Sequence, residues 1–328
     1  MVSSVAKAQD APSPFIFTDA HIGAILSPTT CVRLLAAAMA RAGSRPQAVR
    51  HVEQASGHAK VFGWGDAPGG DDGHHGFRCY SSQQAHGRNI DVSTLYRTSD
   101  GALVALHVGR ELGAWRNGAA GALAVQAACG ADDTPLDLLI IGAGLQAYTQ
   151  LACIAASRPV GSVRIVSRSD VAVARFIRRC SETLSLDVLP AGPSVDPRGA
   201  DVIVCATFDG RDLLKLQRLD DVVHINAIGA KALARSEIGR EVYAAMDFRL
   251  CDNLAQLASD WDTLEVSASG CKLADFAALG PSLPPIPRGR SIFLCRGITG
   301  FEVELLASMH TASAKAAYPL RAAGVPSW

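Results

Sequence analysis

The chain has 328 residues, 48% of them hydrophobic, and its 31 Lys and Arg balance 31 Asp and Glu to a formal charge of zero. That composition excludes a disordered chain, is long enough for two domains, and argues against a dedicated nucleic-acid or anionic-membrane surface. Nine cysteines are scattered without a Cys-x-x-Cys pair, as in a reducing compartment rather than a disulfide framework.

The polar, Ala/Ser/Pro-rich stretch from Met1 to Pro14 lacks an apolar signal core, and no apolar run approaches a membrane span, so a cytoplasmic protein is expected. A short strand follows at Phe15. Then comes a helix with Ser27 as N-cap and Pro28 at its first position, carrying Val32, Leu34, Leu35 and Met39 up to Ala42. Strand-like pieces run from Val49 to Gln54, Lys60 to Trp64, Gly76 to Ser81 and Ile90 to Arg97. The last meets Ala102 to Val108 across Ser99-Asp100-Gly101, a hairpin signal. The Gly/Asp/His-rich segment from Gly65 to Gly76 reads as an exposed loop. Strands without intervening helices predict an α+β domain.

Trp115 to Cys129 is an Ala-rich helix, after which strands and helices alternate. Strands are expected at Leu138, Val163 to Val166, Leu186 to Leu189, Asp201 to Ala206 and Val222 to Asn226, with a helix from Val171 to Leu184. Alternation of this kind builds a parallel sheet covered on both faces. The Pro-rich stretch from Pro281 to Pro287 reads as a linker. Ser291 to Cys295 and a helix from Phe301 to Ala317 are expected to return to the first domain.

The most informative stretch is Asp137-Leu138-Leu139-Ile140-Ile141-Gly142-Ala143-Gly144-Leu145-Gln146-Ala147. An apolar strand ends in Gly-Ala-Gly and passes straight into a helix, the entry of a dinucleotide-binding βαβ unit. Gly142 permits the tight turn, Gly144 lets a pyrophosphate approach the helix N-terminus, and Ala147 is the small residue where helix meets strand. Roughly twenty residues further on, NAD-preferring sites carry Asp or Glu. Here the chain has Ser167-Arg168-Ser169, and a guanidinium between two hydroxyls suits a 2′-phosphate, favouring NADP(H) over NAD(H). The competing reading makes Arg168 a solvated strand-end residue and gives the ribose to Asp170. Thr207 and Asn226, at the ends of later strands, complete the expected cofactor face.

Three segments together resemble the ornithine cyclodeaminase/mu-crystallin family: Gly142-Ala143-Gly144-Leu145-Gln146-Ala147-Tyr148, His224-Ile225-Asn226-Ala227-Ile228-Gly229-Ala230 and Trp115-Arg116-Asn117-Gly118-Ala119-Ala120. The resemblance runs from about Phe15 to Ala317. It implies an α/β fold: a Rossmann doubly wound parallel sheet at residues 119–287, plus a discontinuous α+β substrate and dimerisation domain at 1–118 and 288–328. It also implies a homodimer and a nicotinamide cofactor, held in part by Gln146 and Ile228, facing a small amino, imino or 2-oxo acid. In the family an early Arg, a Lys and an Arg opening the long helix surround the substrate carboxylate. Arg50, Arg78 and Arg116 stand at those positions, Arg78 replacing the Lys. Read alone, Arg50 and Arg78 are surface charges with their stems laid on a sheet.

Cyclodeaminases carry an Asp two positions after the Gly of Asn-Ala-x-Gly, where this chain has Lys231. A cation there repels an ammonium and cannot take over acid-base work without a strongly lowered pKa. Mu-crystallin-like ketimine reductases also lack this Asp, which turns the expectation towards hydride delivery to a C=N bond. Lys231 reads equally as a partner for a second substrate carboxylate or as a solvated lysine at a helix start. Asn117 stands where the family prefers Thr, and Arg296-Gly297-Ile298-Thr299-Gly300 only loosely follows the family's C-terminal pattern.

Asp71-Asp72-Gly73-His74-His75 has metal-ligand residue types, but adjacent histidines in a Gly-rich loop rarely converge on one ion, and no metal is expected. Cys205 reads as core, Ser81-Ser82 approaches the site only by the resemblance, and His86 and His107 receive no role. The expectation is an NAD(P)H-dependent reductase of a small cyclic or acyclic imino acid, with no nucleic-acid or membrane partner. The alternatives are a cyclodeaminase with bound NAD and a non-catalytic NADPH-binding protein.

Overall fold

The computed structural model describes residues 13–42, 50–55, 58–67, 73–83, 90–130, 133–192, 194–207, 213–229, 238–252, 273–275, 289–295, 297–298 and 300–316. Two compact units divide the chain: a smaller one of residues 1–26, 50–112 and 299–328, and a larger one of 27–49 and 113–298.

The smaller unit contains strand β1 (Phe15–Thr18) and helix α1 (Asp19–Ile25), and after helix α2 (Pro28–Ala42) has passed through the larger unit it resumes with five strands. These are β2 (Arg50–Ala55), β3 (His58–Ala67), β4 (His74–Gln83), β5 (Asp91–Arg97) and β6 (Leu103–Gly109). They form a six-stranded sheet in the order β1-β6-β5-β4-β3-β2, antiparallel except where β1 lies parallel to β6. The predicted hairpin is present between β5 and β6, with Gly101 at φ 71° and Arg97 N–H donating to Ala102 O at 2.8 Å. The expected loop from Gly65 to Gly76 is shorter than composition suggests, because β3 runs on to Ala67 and pairs with His74. Gly65 and Gly76 are strand residues whose missing side chains admit close neighbours: a Cβ on either would collide with the carbonyl of Gly300 or Thr94. One sheet face carries Phe62, Trp64, Phe77 and Tyr96 in a run of ring contacts, with Phe62 39% and Trp64 45% exposed.

The first turn of helix α3 (Glu111–Cys129) holds the boundary to the larger unit. There follow β7 (Leu136–Ile141), α4 (Leu145–Ser157), β8 (Val160–Val166), α5 (Asp170–Leu184), β9 (Val188–Pro190), β10 (Val202–Cys205), β11 (His224–Ala227), α6 (Arg240–Ala244), β12 (Phe248–Cys251), β13 (Leu273–Asp275) and β14 (Ser291–Leu294); the chain's last described helix, α7 (Phe301–Ala316), returns to the smaller unit. The eight strands are all parallel, in the order β13-β12-β14-β11-β10-β7-β8-β9. All four residues of β10 (Val-Ile-Val-Cys) are buried, as expected for a strand covered on both faces. This is the predicted doubly wound Rossmann sheet. Chain order runs outward from β7 through β8 and β9 on one side and from β10 on the other, so the topological switch point lies at β7 and β10.

Two segments lie elsewhere than the sequence suggests. Ser291–Leu294, expected to return to the first domain, inserts between β11 and β12, because four buried residues fill a parallel-sheet position. Helix α2, expected within residues 1–118, packs on α4 in the larger unit, with Cys31 and Leu35 buried in its inner face. Strand β12 escaped the sequence reading because Arg249 interrupts its apolar pattern. That side chain is fully buried and spends its donors on Tyr243 O (2.7 and 3.0 Å) and Ala244 O (3.2 Å), at the end of α6. The Pro-rich stretch 281–287 lies outside the described residues. Among the described residues no single helix is long and apolar enough to cross a membrane.

Candidate functional site

In the larger unit β7 delivers the chain to Gly142 at the switch point. Its φ of 108° is a conformation side chains avoid, and a Cβ there would stand 2.6 Å from Ala206 O and 3.2 Å from the Thr207 methyl carbon. Gly142 N–H donates to Val166 O at 2.8 Å, tying the turn to β8. Gly144 is different. It is exposed, its φ is −94°, and a Cβ would meet no described atom within 4 Å. Packing does not require that glycine; its bareness leaves the space free.

Gly144 is also the N-cap of α4 and offers no side-chain cap, so the first-turn N–H groups of this 13-residue helix lack an intrahelical acceptor. Uncapped N–H groups, the positive end of the helix dipole and an open approach together fit an anion such as a pyrophosphate. Ala143 and Gln146 flank this mouth half-buried, and Ala147 is buried against the sheet. At the end of β8, Ser167 is half-buried and Arg168 exposed. Ser169 caps α5: its hydroxyl oxygen accepts Ala172 N–H at 3.2 Å, which leaves the hydroxyl hydrogen to donate outward. Asp170 is the acidic first-turn residue of α5. Ile228 is buried, its N–H donating to Cys205 O at 2.8 Å.

Arg116 is 4% exposed, and its Nε and Nη2 donate to Asn117 Oδ1 at 3.1 and 3.0 Å. Gly297, at φ 89°, lies against the guanidinium so closely that a Cβ would come within 2.5 Å of Nη2. Gly297 N–H is held by the buried carboxylate of Asp252, which also accepts from Cys295 Sγ at 3.6 Å.

Behind Arg116 runs a chain of buried polar side chains that sequence reading missed. Gln150 Nε2 donates to Asn117 O at 2.6 Å, and Asn226 Nδ2 donates to Gln150 Oε1 at 3.0 Å and to Gly121 O at 3.1 Å. Asn226 Oδ1 lies 2.9 Å from His224 Nε2, and His224 Nδ1 lies 2.7 Å from Ser291 Oγ. Asn226 spends both N–H groups on acceptors, so its oxygen must accept from His224 Nε2–H, and Nδ1 must accept from Ser291. Burial drives the His224 pKa down to about 4 against the smaller opposing pull of Asn226, so the imidazole is neutral. The Asn226 side chain, expected to face the cofactor, is thus turned fully inward and joins α3, α4 and β11. The only sequence signal was polar residues alternating through His224-Ile225-Asn226 in an otherwise apolar strand.

In the smaller unit, register places Arg50, Gly63, Arg78, Ser93, His107 and Phe17 in one cross-strand row. Two of the predicted cations are therefore two strands apart with a glycine between them. Arg78 is not an uncommitted cation. Its Nε donates to Asp91 Oδ2 at 3.0 Å, its Nη2 bonds the same carboxylate, and its Nη1 lies 2.9 Å from Glu302 Oε1 of α7. Burial opposes the charge on Arg78, but Glu302 and Asp91 outweigh it and raise its pKa. The expectation that Arg78 simply grips a substrate carboxylate is corrected accordingly: two internal carboxylates already compensate it. His107 Nε2 lies 3.2 Å from Asp19 Oδ1, and burial lowers its pKa. Asp19 also accepts Arg110 N–H and Glu111 N–H at 2.9 Å, which caps α3 from a distance.

His74 and His75, read as loop residues, are neighbours in β4, and the pleat separates them: His74 meets the His310 ring and His75 stacks on Tyr96. The side chains of Arg50, Ser81 and Ser82 lie outside the described residues, as do Lys231 and His86 entirely.

The sequence matches the profile of the ornithine cyclodeaminase/mu-crystallin family over residues 22–268. An alanine dehydrogenase of Archaeoglobus fulgidus is 29% identical over 39% of this chain and 38% of its own length. A putative dehydrogenase of Rhizobium meliloti is 29% identical over 54% of each. The chain thus matches about half or less of the length of these relatives. Among solved structures, a probable ornithine cyclodeaminase from Bordetella pertussis superposes with a TM-score of 0.77 at 22% identity, covering 94% of this chain and 99% of that one. A pyrroline-carboxylate reductase of Thermococcus litoralis, solved with NADH and L-proline, gives 0.79 at 16% identity, covering 92% and 98%. At these identities the likeness establishes the fold.

Proposed function

The chain belongs to the ornithine cyclodeaminase/mu-crystallin family, and from that premise we propose that it is an NAD(P)H-dependent reductase of a small imino acid. The observation that carries the reading is the mouth of α4: an uncapped helix N-terminus opened by Gly144, joined through Gln146 and Asn117 to the buried Arg116. A bound reduced nicotinamide supplies the hydride. The chain's own part is to hold the substrate's carboxylate through Arg116, and to keep water and competing anions away by burying that cation. Lys231 in the position of the cyclodeaminase Asp supports reduction over deamination, since an iminium substrate arrives already protonated. It leaves Lys231 available for a second acidic group.

NADP(H) is the preferred cofactor in this reading. Arg168 is exposed at the end of β8, Ser167 stands beside it, and Ser169 retains a donor. Asp170, the rival for the ribose, sits where the dipole of α5 favours an acid for structural reasons. The larger unit binds the dinucleotide and carries Arg116, and the smaller unit serves dimerisation. The exposed aromatic face around Phe62 and Trp64 supports a homodimer, because soluble monomers rarely leave so many rings in one exposed patch.

The test is NADPH consumption with pyrroline- and piperideine-carboxylate, set beside ammonia release from ornithine. Imine-dependent NADPH oxidation is expected. Ammonia from ornithine without net oxidation would make the chain a cyclodeaminase, and neither reaction despite tight NADPH binding would make it a binding protein.

A further inference from the structure

Arg116 and Gln146 approach the same amide from opposite sides, and the orientation of that amide is forced. Arginine carries only donors, so the Asn117 atom 3.1 Å from Nε and 3.0 Å from Nη2 must be the oxygen. The Asn117 Nδ2 then faces Gln146 at 3.1 Å, and a donor there requires Gln146 to present its oxygen. The Gln146 amine is left in the first turn of α4, beside the uncapped backbone N–H groups, with no partner among the described residues.

The backbone of Asn117 is held independently of its side chain. Gln150 Nε2 grips its carbonyl at 2.6 Å, and a Cβ on the next residue, Gly118, would collide with Thr149 O, so α3 meets α4 at backbone distance here. What remains adjustable is the pair of amides. If Gln146 turned over, it would present NH2 to the NH2 of Asn117. Relieving that contact turns Asn117 over, and Arg116 then faces donors with donors. One flip therefore propagates from the mouth of α4 to the guanidinium, and an anion that accepts from the Gln146 amine selects the arrangement in which Arg116 is held.

We propose that Asn117 is a positioning residue that couples dinucleotide binding at α4 to the setting of Arg116, so that the cofactor and a carboxylate ligand bind synergistically. The inference rests on the reductase reading for the identity of the two ligands. It differs from that reading in claiming a linkage carried by two amides, which neither a purely structural Asn117 nor independent sites would produce.

The experiment is a fluorescence titration of the full chain with NADPH, with and without saturating pyrrole-2-carboxylate, a planar carboxylate that accepts no hydride. Coupling predicts that the probe tightens NADPH binding roughly tenfold in the unsubstituted protein. In Asn117→Leu and in Gln146→Leu the tightening disappears, and the double variant loses no more than either single one. Gln146 is half-buried at a helix start, so its variant keeps the test alive should Asn117→Leu melt early. Asn117→Asp, which keeps an acceptor for Arg116 but has no donor for Gln146, loses the tightening while remaining folded. Retained synergy in the folded variants, or unsubstituted protein that binds NADPH and the probe independently, overturns the inference and leaves the reductase reading standing. Failure of the unsubstituted protein to bind NADPH contradicts the reading, and the inference falls with it.

Discussion

Each unit holds a buried polar cluster, and the two clusters are built in opposite ways. The larger holds a neutral file, in which Gln150, Asn226, His224 and Ser291 hand hydrogen bonds from one to the next and no ionised group takes part. The smaller holds an ionic cluster, with Arg78 between Asp91 and Glu302. A neutral file tolerates complete burial because every donor meets an acceptor, and it fixes geometry without creating a field. An ionic cluster costs desolvation and keeps a charge where a strand would otherwise carry none. The file ties α3, α4, β11 and β14 together. The cluster places Arg78 between two carboxylates, in the cross-strand row that also holds Arg50.

The contrast breaks most sharply at the glycine turn. Gly142→Val combines a positive φ with a clash at Ala206 O, for a cost of about 2–5 kcal/mol, and thermal melting and NADPH titration should both collapse. Gly144→Ala, placed in open space, should leave the melting temperature within error and weaken NADPH alone. If both variants behave alike, the separation of fold from ligand approach within this turn is wrong.

Next in size is the pH response of the neutral file. His224 has a folded pKa of about 4 against an ordinary 6.5, so between those values the unfolded chain binds a proton that the folded one does not. Stability is therefore fully present above pH 6.5 and falls as pH drops towards 4, by on the order of 3 kcal/mol for this group. Denaturant melts across that window should show the slope, and His224→Gln should flatten it.

Glu302→Gln tests the ionic cluster. Arg78 keeps Asp91, so the expected loss is about 1–3 kcal/mol rather than a full buried-pair penalty, read as a lower denaturation midpoint. The smallest effect is at the surface. Arg168→Ala should lower the preference for NADPH over NADH by about tenfold, the scale of one charge-assisted contact, without moving the melt. An unchanged preference would hand the ribose to Asp170.

How much of this was legible follows from locality. The turn from Leu138 to Ala147 could be read because strand, glycine and helix are consecutive and each residue's role is met by its neighbours. Ser167 to Ser169 share that property, although the capping work of Ser169 needed the structure. The row of Arg50, Arg78 and His107 could not be read, because register alone aligns it. Asp91 and Glu302 come to Arg78 from another strand and from α7, and no spacing announces that meeting. Arg249 hid β12 behind one charge whose partners lie on the preceding helix, and the glycines at 65 and 76 imitated a loop while serving close approach. Asn226 was expected to face the cofactor and instead turns inward, since alternation predicts a face and not which acceptor waits there.

The most direct test of the central claim follows the hydride itself. NADPH deuterated at the transferable position is incubated with the protein and, in separate runs, with pyrroline-2-carboxylate or with ornithine, and the products are examined by mass spectrometry. The account predicts proline carrying one deuterium at its α-carbon, formed in step with oxidised cofactor. Proline formed from ornithine with release of ammonia, while the deuterated cofactor remains unconsumed, would contradict it.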